Sequence, residues 1–336
     1  MFPAQEAASQ VKENKKDTLL SMPNVVGVGV GYKSIKGVTS QEISVVVLVR
    51  RKLPLAALGP EMVIPAQIEG VKVDVKEVGE IRALQARTDR WRPAPGGVSI
   101  GHYKITAGTL GSVVRDRASN ARLILSNNHV LANSNDAVQG DSILQPGPVD
   151  GGSAPNDVIA RLERFCPIEF TTSPGDCSLA NTYVELGNAL ASLFGSKHRL
   201  ETFRSNPQAT NLVDAAVARP INDSNVKDEI LEIGVVQGTL EATLGMPVRK
   251  SGRTTGFTTG EINLVNATVN VSYGSGRTAR FENQLVAGPM SQGGDSGSLV
   301  VHGDSLSAVG LLFAGSSQST IFNPIQAVLD CLAVTI

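Results

Sequence analysis

Gly293-Gly-Asp-Ser-Gly-Ser-Leu-Val300 sets a serine in a glycine-rich turn and follows it at once with an apolar β run. Glycines on both sides of Asp295-Ser296 let the backbone reverse sharply, so that the amides of Gly294 and Ser296 can aim at one oxygen. That is the arrangement needed to hold the oxyanion of an acyl-transfer intermediate, where each donor is worth about 3 kcal/mol. A serine hydroxyl is a weak nucleophile unless an imidazole takes its proton and a carboxylate fixes the imidazole tautomer.

Two other stretches supply those groups. Leu125-Ser-Asn-Asn-His129-Val-Leu131 and Asn211-Leu-Val-Asp214-Ala-Ala-Val-Ala218 each place one polar group at the end of an apolar β run. Taken singly, each has a structural explanation: a lone histidine is more often structural, and an aspartate next to a strand is often a turn residue. The conjunction in the order His129, Asp214, Ser296 points instead to a catalytic triad.

The surrounding chain reads as mainly β. Short apolar runs at 109–114, 122–125, 213–218, 261–265, 267–271, 298–301 and 308–313 are separated by Gly, Asn, Asp and Ser, as in barrels or sandwiches. Helical patterns cover 181–194, with Leu186, Leu190, Leu193 and Phe194 on one stripe, and 324–332. Upstream, a helix over 5–20 and strands at 25–32, 43–49 and 71–75, with turns at Gly37 and 54–65, form a small α+β domain. Pro93, Pro95, Gly96 and Gly97 close a poorly periodic, arginine-bearing stretch that reads as a linker. The expected organisation is an α+β domain at 1–81, a linker at 82–96, and two β units at 97–220 and 221–336.

Thirty Lys and Arg against 31 Asp and Glu argue against nucleic acid or an anionic membrane as partner. The first twenty residues carry no apolar signal-type run, and no later segment approaches membrane-spanning length, so a cytoplasmic setting is expected. No Cys/His spacing suggests a metal, and the chemistry needs no cofactor. Of the three cysteines, Cys166 and Cys177 are close enough in sequence to pair under oxidising conditions, but free or buried thiols are the favoured reading.

From about residue 96 to the end, these motifs resemble the trypsin-like, chymotrypsin-fold serine peptidase family. Ser126-Asn-Asn-His129-Val and Asp214-Ala-Ala-Val are similar to the histidine and aspartate motifs of bacterial high-temperature-requirement proteases, and Gly294-Asp-Ser296-Gly to the family's nucleophile loop. Arg249-Lys-Ser-Gly-Arg-Thr-Thr-Gly256 and Phe322-Asn-Pro-Ile resemble bacterial relatives of the plant narrow-leaf protein.

The resemblance implies two six-stranded antiparallel β-barrels, the first carrying His129 and Asp214 and the second Ser296. It also implies a specificity pocket with Met290 at its floor, lined by Ser291 and by Phe313, Ala314 and Gly315 of a strand that pairs with substrate. An apolar Met290 favours cleavage after small or medium apolar residues over cleavage after Lys or Arg. The sequence departs from the digestive members in its long His-to-Asp interval. Gly96-Gly-Val-Ser-Ile-Gly101 also lacks the activation pattern that frees an amine for Asp295.

Several motifs read as structure. Gly303-Asp-Ser-Leu306 matches a lipase block, but no histidine follows it, so a hairpin turn is expected. Gly27-Val-Gly-Val-Gly31 has the wrong spacing for a dinucleotide fingerprint and reads as a glycine-rich strand. Asn266 and Asn270 begin glycosylation sequons yet lie in strand patterns; His102, His198 and His302 have no partner legible in the sequence.

The sequence thus describes a serine endopeptidase acting on protein or peptide through an acyl-enzyme. The N-terminal domain would serve regulation, self-association or a partner, or act as a propeptide. A silent two-barrel scaffold and an esterase using the same triad are the alternatives.

Overall fold

Val71-Lys-Val-Asp-Val75 alternates apolar and charged residues, and the observed strand Val71–Glu77 turns its valines toward a helix. The computed structural model describes residues 3–35, 38–54, 57–79, 81 and 85–336. The chain divides into two compact units, Met1–Gln85 and Ala86–Ile336. Gly37 and Arg82, read above as turn and linker residues, lie outside the described residues.

In the first unit a four-stranded sheet runs in the order Val25–Ile35, Val38–Val49, Val71–Glu77, Gln67–Ile68. The first pair is antiparallel, whereas Val38–Val49 and Val71–Glu77 are parallel. Helix Pro3–Leu20 buries Val11 and Leu19 with Val45, Val47, Val49 and Val73. The Gly27–Gly31 run lies inside Val25–Ile35 as a strand.

The second unit is built on two eight-stranded sheets. The first runs Val334–Thr335, Ser112–Asp116, Arg122–Ser126, Ala216–Pro220, Val158–Phe165, Ser142–Leu144, Ser99–His102, Gly108–Thr109. The second runs Phe203–Ser205, Thr172–Pro174, Arg277–Ala287, Gly256–Gly274, Pro247–Gly252, Leu299–His302, Ala308–Gly315, Thr320–Pro324. Thr320–Pro324 pairs back on Arg277–Ala287, so six strands of the second sheet close into a ring. Six-strand closure is therefore seen in the second sheet, which two short strands extend to eight, whereas the expected first six-stranded barrel is corrected: that sheet also has eight strands and shows no such closure among the described residues.

The expected boundaries also shift. The final strand Val334–Thr335 returns to Ser112 on the first sheet, while Thr172–Pro174 and Phe203–Ser205, expected in the first β unit, extend the second sheet. Residues 91–96, expected in the linker, are half-buried to buried in the second unit. Ala94–Gly96 pairs in parallel with Val226–Ile230, and the Arg92 guanidinium donates to both the side chain and the backbone carbonyl of Gln145.

Cys166 is bonded to Cys331 and Cys177 is exposed and free, which corrects both the favoured free-thiol reading and the alternative Cys166–Cys177 pairing. The bond ties Cys166, which follows Val158–Phe165 and packs in a core with Leu125, Val217, Leu299 and Val328, to the exposed Cys331 at the end of helix Ile325–Cys331. Helix Ser178–Leu193 forms as expected but buries none of its residues.

Candidate active site

Local sequence explains how each group is presented. Arg122–Ser126 ends at Asn127, and a single helical turn, Asn128–Leu131, carries His129 out of the sheet. That turn is anchored from beneath: Asn128 Nδ2 donates to the Cys166 carbonyl and to Asn135 Oδ1, and Asn127 Nδ2 to the Asp214 carbonyl. Asp214 precedes Ala216–Pro220 and is fully buried. Its own amide donates to Asn323 Oδ1 at 3.0 Å, and Asn323 is held in turn by Gln284.

His129 Nδ1 lies 2.6 Å from Asp214 Oδ2, and the His129 amide donates to Oδ1 at 3.2 Å. A buried carboxylate requires such partners, since an unpaired charge in the interior is costly. With Nδ1 engaged by Asp214, Nε2 is the nitrogen left for the nucleophile.

The Ser296 loop is stitched to the first sheet, the sheet that carries His129 and Asp214. Thr109 donates through its amide to the Ser296 carbonyl and through its hydroxyl to the Gly294 carbonyl, at 2.7 and 2.9 Å. Gly297, at φ +94°, passes so close to Ser126 that a Cβ there would sit 2.0 Å from the Ser126 hydroxyl oxygen. Gly294 has φ +95°, a left-handed conformation that strains other residues. Among the described residues, neither the Gly294 nor the Ser296 amide donates to a protein acceptor. The Ser296 hydroxyl points at the Phe313 carbonyl, 3.4 Å away, and makes no hydrogen bond to His129.

Behind the loop, Asp295 is fully buried and saturated with donors. Oδ1 accepts from the amides of Thr254 and Thr255, and Oδ2 from the Gln292 amide, the Thr255 hydroxyl and Lys250 Nζ. Burial pushes this carboxyl up, but the Thr255 hydroxyl, the Lys250 charge and the Gln292 and Thr255 amides more than reverse it, leaving it below its ordinary value. Burial in turn lowers the Lys250 ammonium against the opposing pull of Asp295. The Arg249–Gly256 motif thereby acquires a purpose that its sequence alone does not disclose.

Beside Ser296 opens a cavity of about 780 Å³. Met290, Ser291, Ala314 and Gly315 are among its lining residues, together with Thr255, Thr258, Leu312, Ser316 and Ser317, and no charged side chain is among them. Thr258 donates its hydroxyl to the Met290 carbonyl, and Ser291 and Thr320 share a hydroxyl contact at 2.9 Å. Phe313 is the exception: its side chain packs with Ile168, Ala279 and Phe281, so only its backbone faces the site. Residues 314 and 315 pair with Ile321 and Thr320 on one edge, while pairing with Leu299–His302 reaches only Leu311.

The remaining histidines stay outside the site. His102 is buried against Asp141 at 3.0 Å, a partner not legible in the sequence, and His302 accepts from the amides of Asp304 and Ser305. The Gly303–Leu306 block connects two adjacent strands as a turn, and Asn266 and Asn270 lie in Gly256–Gly274.

No family model matches the chain. Among solved structures, the chain is similar to Nocardiopsis protease, with 18% identity and a TM-score of 0.45, over 72% of this chain and 98% of that one. It is similar to a glutamic acid specific serine protease described as using a histidine triad in substrate binding, with 20% identity and a TM-score of 0.45, over 72% of this chain and 100% of that one. Thermobifida fusca protease A matches at 16% identity and a TM-score of 0.44, over 72% of this chain and 98% of that one.

Proposed function

We propose that the chain is a serine endopeptidase that cleaves peptide bonds through an acyl-enzyme, after small or medium apolar residues. The observation that carries this reading is the buried Asp214 bonded to His129 Nδ1, with the Ser296 loop stitched to the same sheet through Thr109 and two amides left without protein acceptors. Ser296 turns from the Phe313 carbonyl toward His129 Nε2, which takes its proton as the oxygen attacks the peptide carbonyl. The developing oxyanion is held by the Gly294 and Ser296 amides. Imidazolium then protonates the leaving amine, and a water activated by the same nitrogen releases the acyl group.

The open edge of Phe313–Gly315 supports a peptide substrate, since an extended chain can add there as a strand. An uncharged pocket with Met290 at its base offers no counterion to a charged side chain. The Cys166–Cys331 bond favours an oxidising surrounding over the expected cytoplasmic one. The role of the N-terminal unit as a regulatory or assembly module is part of the same proposal.

The test is labelling of full-length protein with a fluorophosphonate, followed by turnover of matched peptide and ester substrates. Labelling that Ser296→Ala removes, with peptides cleaved, supports the reading. Unlabelled wild type points to the silent scaffold, and ester turnover without peptide cleavage to the esterase.

A further inference from the structure

Tyr273 stands near the tip of the long hairpin formed by Gly256–Gly274 and Arg277–Ala287, in the sheet that carries Ser296. The two-residue turn Ser275-Gly276 has both φ angles positive, which matches the strand twist and fixes the register of the hairpin end. That end reaches the other half of the site. Arg277 pairs with Asp136 at 2.8 Å, and Asn211 bridges to Phe281.

Held there, Tyr273 donates its hydroxyl to Asp214 Oδ2 at 2.7 Å, the same oxygen that receives His129 Nδ1. Its ring stands edge-on to His129 at 5.8 Å between centroids, and edge-on to Phe170 at the same distance. Burial, and then the Asp214 charge, push the phenol well above its ordinary value, so it stays a neutral donor. Asp214 is fully buried, and of the three hydrogen bonds its carboxylate accepts, two come from His129 and the third from Tyr273. Without the third, the carboxylate keeps its charge but loses the donor that sets its plane from outside the His129 turn.

We infer that Tyr273 is a positioning residue for the triad: its hydroxyl, delivered across the cleft by the hairpin, fixes the Asp214 carboxylate and through it the His129 ring. This rests on the peptidase reading above. It adds that the acid and base of the first sheet are completed by a group from the second.

Tyr273→Phe removes one oxygen and keeps the ring contacts. The expected result is kcat lower by about tenfold or more with KM nearly unchanged, and the acid limb of kcat/KM moved to higher pH, because a carboxylate with one donor fewer holds the imidazolium more strongly. A second readout needs no turnover: the low-field proton resonance of His129 Nδ1, identified by its loss in Asp214→Asn, should shift or broaden in Tyr273→Phe. A Tyr273→Phe protein with unaltered kcat, pH profile and resonance overturns the inference. A shifted resonance in a protein that hydrolyses nothing sustains the positioning role while sinking the peptidase reading.

Discussion

Lys250 Nζ lies 3.3 Å from Asp295 Oδ2, with both side chains fully buried directly behind the nucleophile. On the peptidase reading proposed above, a carboxylate already occupied by a lysine would need no freed terminal amine to shape the loop before Ser296. Lys250→Met leaves Asp295 charged without its cation, though still holding hydrogen bonds from Thr254, Thr255 and Gln292, and should destabilise the protein by about 3 kcal/mol. Chemical denaturation of Lys250→Met, Asp295→Asn and the double variant measures this. The double variant should recover part of the loss, and additive losses would show that the two groups do not interact.

Ser296→Ala should abolish hydrolysis and leave the melting temperature close to that of the wild type, since one half-exposed hydroxyl contributes little packing. Asp214→Asn should slow turnover by about 10⁴-fold by stabilising the wrong imidazole tautomer. Paired kinetics and melting curves check both, and a residual rate in Ser296→Ala near that of the wild type removes Ser296 from the mechanism.

The pocket beside Ser296 should accept Val, Ala, Leu or Met before the cut and disfavour Arg or Lys. Peptide-library profiling reads this directly. Met290→Asp should move preference toward basic residues. Best cleavage after Arg by the wild type would mean that the uncharged lining does not govern selection.

Acid should destabilise the second unit. Asp150 resembles Asp295: burial raises its carboxyl, but hydrogen bonds from Arg253 and Ser99 and the Arg253 charge bring it below its ordinary value. When folded values are depressed, the unfolded chain binds more protons at acid pH. The stabilisation is therefore complete above about pH 4 and is lost as pH falls through the lowered values. Denaturation midpoints from pH 7 to pH 3 should fall, and fall less in Asp295→Asn; parallel curves for the two proteins would exclude Asp295 as a contributor.

Deleting residues 1–85 should preserve fluorophosphonate labelling, because the first unit has its own core of Val11, Leu19, Val45 and Val47. Oligomer size or regulation should change instead, and purified full-length protein should remain one chain. Self-cleavage near residue 90, with activity appearing only afterwards, would make the first unit a propeptide.

The chemistry-bearing turns were legible because each is local: Gly294-Asp-Ser-Gly and Asn127-Asn-His declare a backbone shape and a side chain within a few residues. The strands of the first unit were legible because valines alternate or run together. What escaped depends on long-range pairing. Nothing near Tyr273 signals an acid 59 residues earlier, and nothing near Cys166 signals Cys331, 165 residues on. Residues 86–96 read as a linker because their prolines and glycines break periodicity, yet Arg92 and Ala94–Gly96 find partners that only the closed sheets provide. The eight-strand count of each sheet was not legible because short added strands such as Thr172–Pro174 carry too few residues to show a period.

The bond from the Asp214 amide to Asn323 spans 109 residues. A chain emerging from the ribosome exposes His129 and Asp214 first, then Tyr273, then Ser296, and the side chain that seats the acid last of all. On the peptidase reading proposed above, a nascent polypeptide would carry most of the hydrolytic apparatus before Asn323 is there to seat the acid. Order of synthesis would then itself delay cutting, a safeguard for neighbouring chains written into the order of the residues.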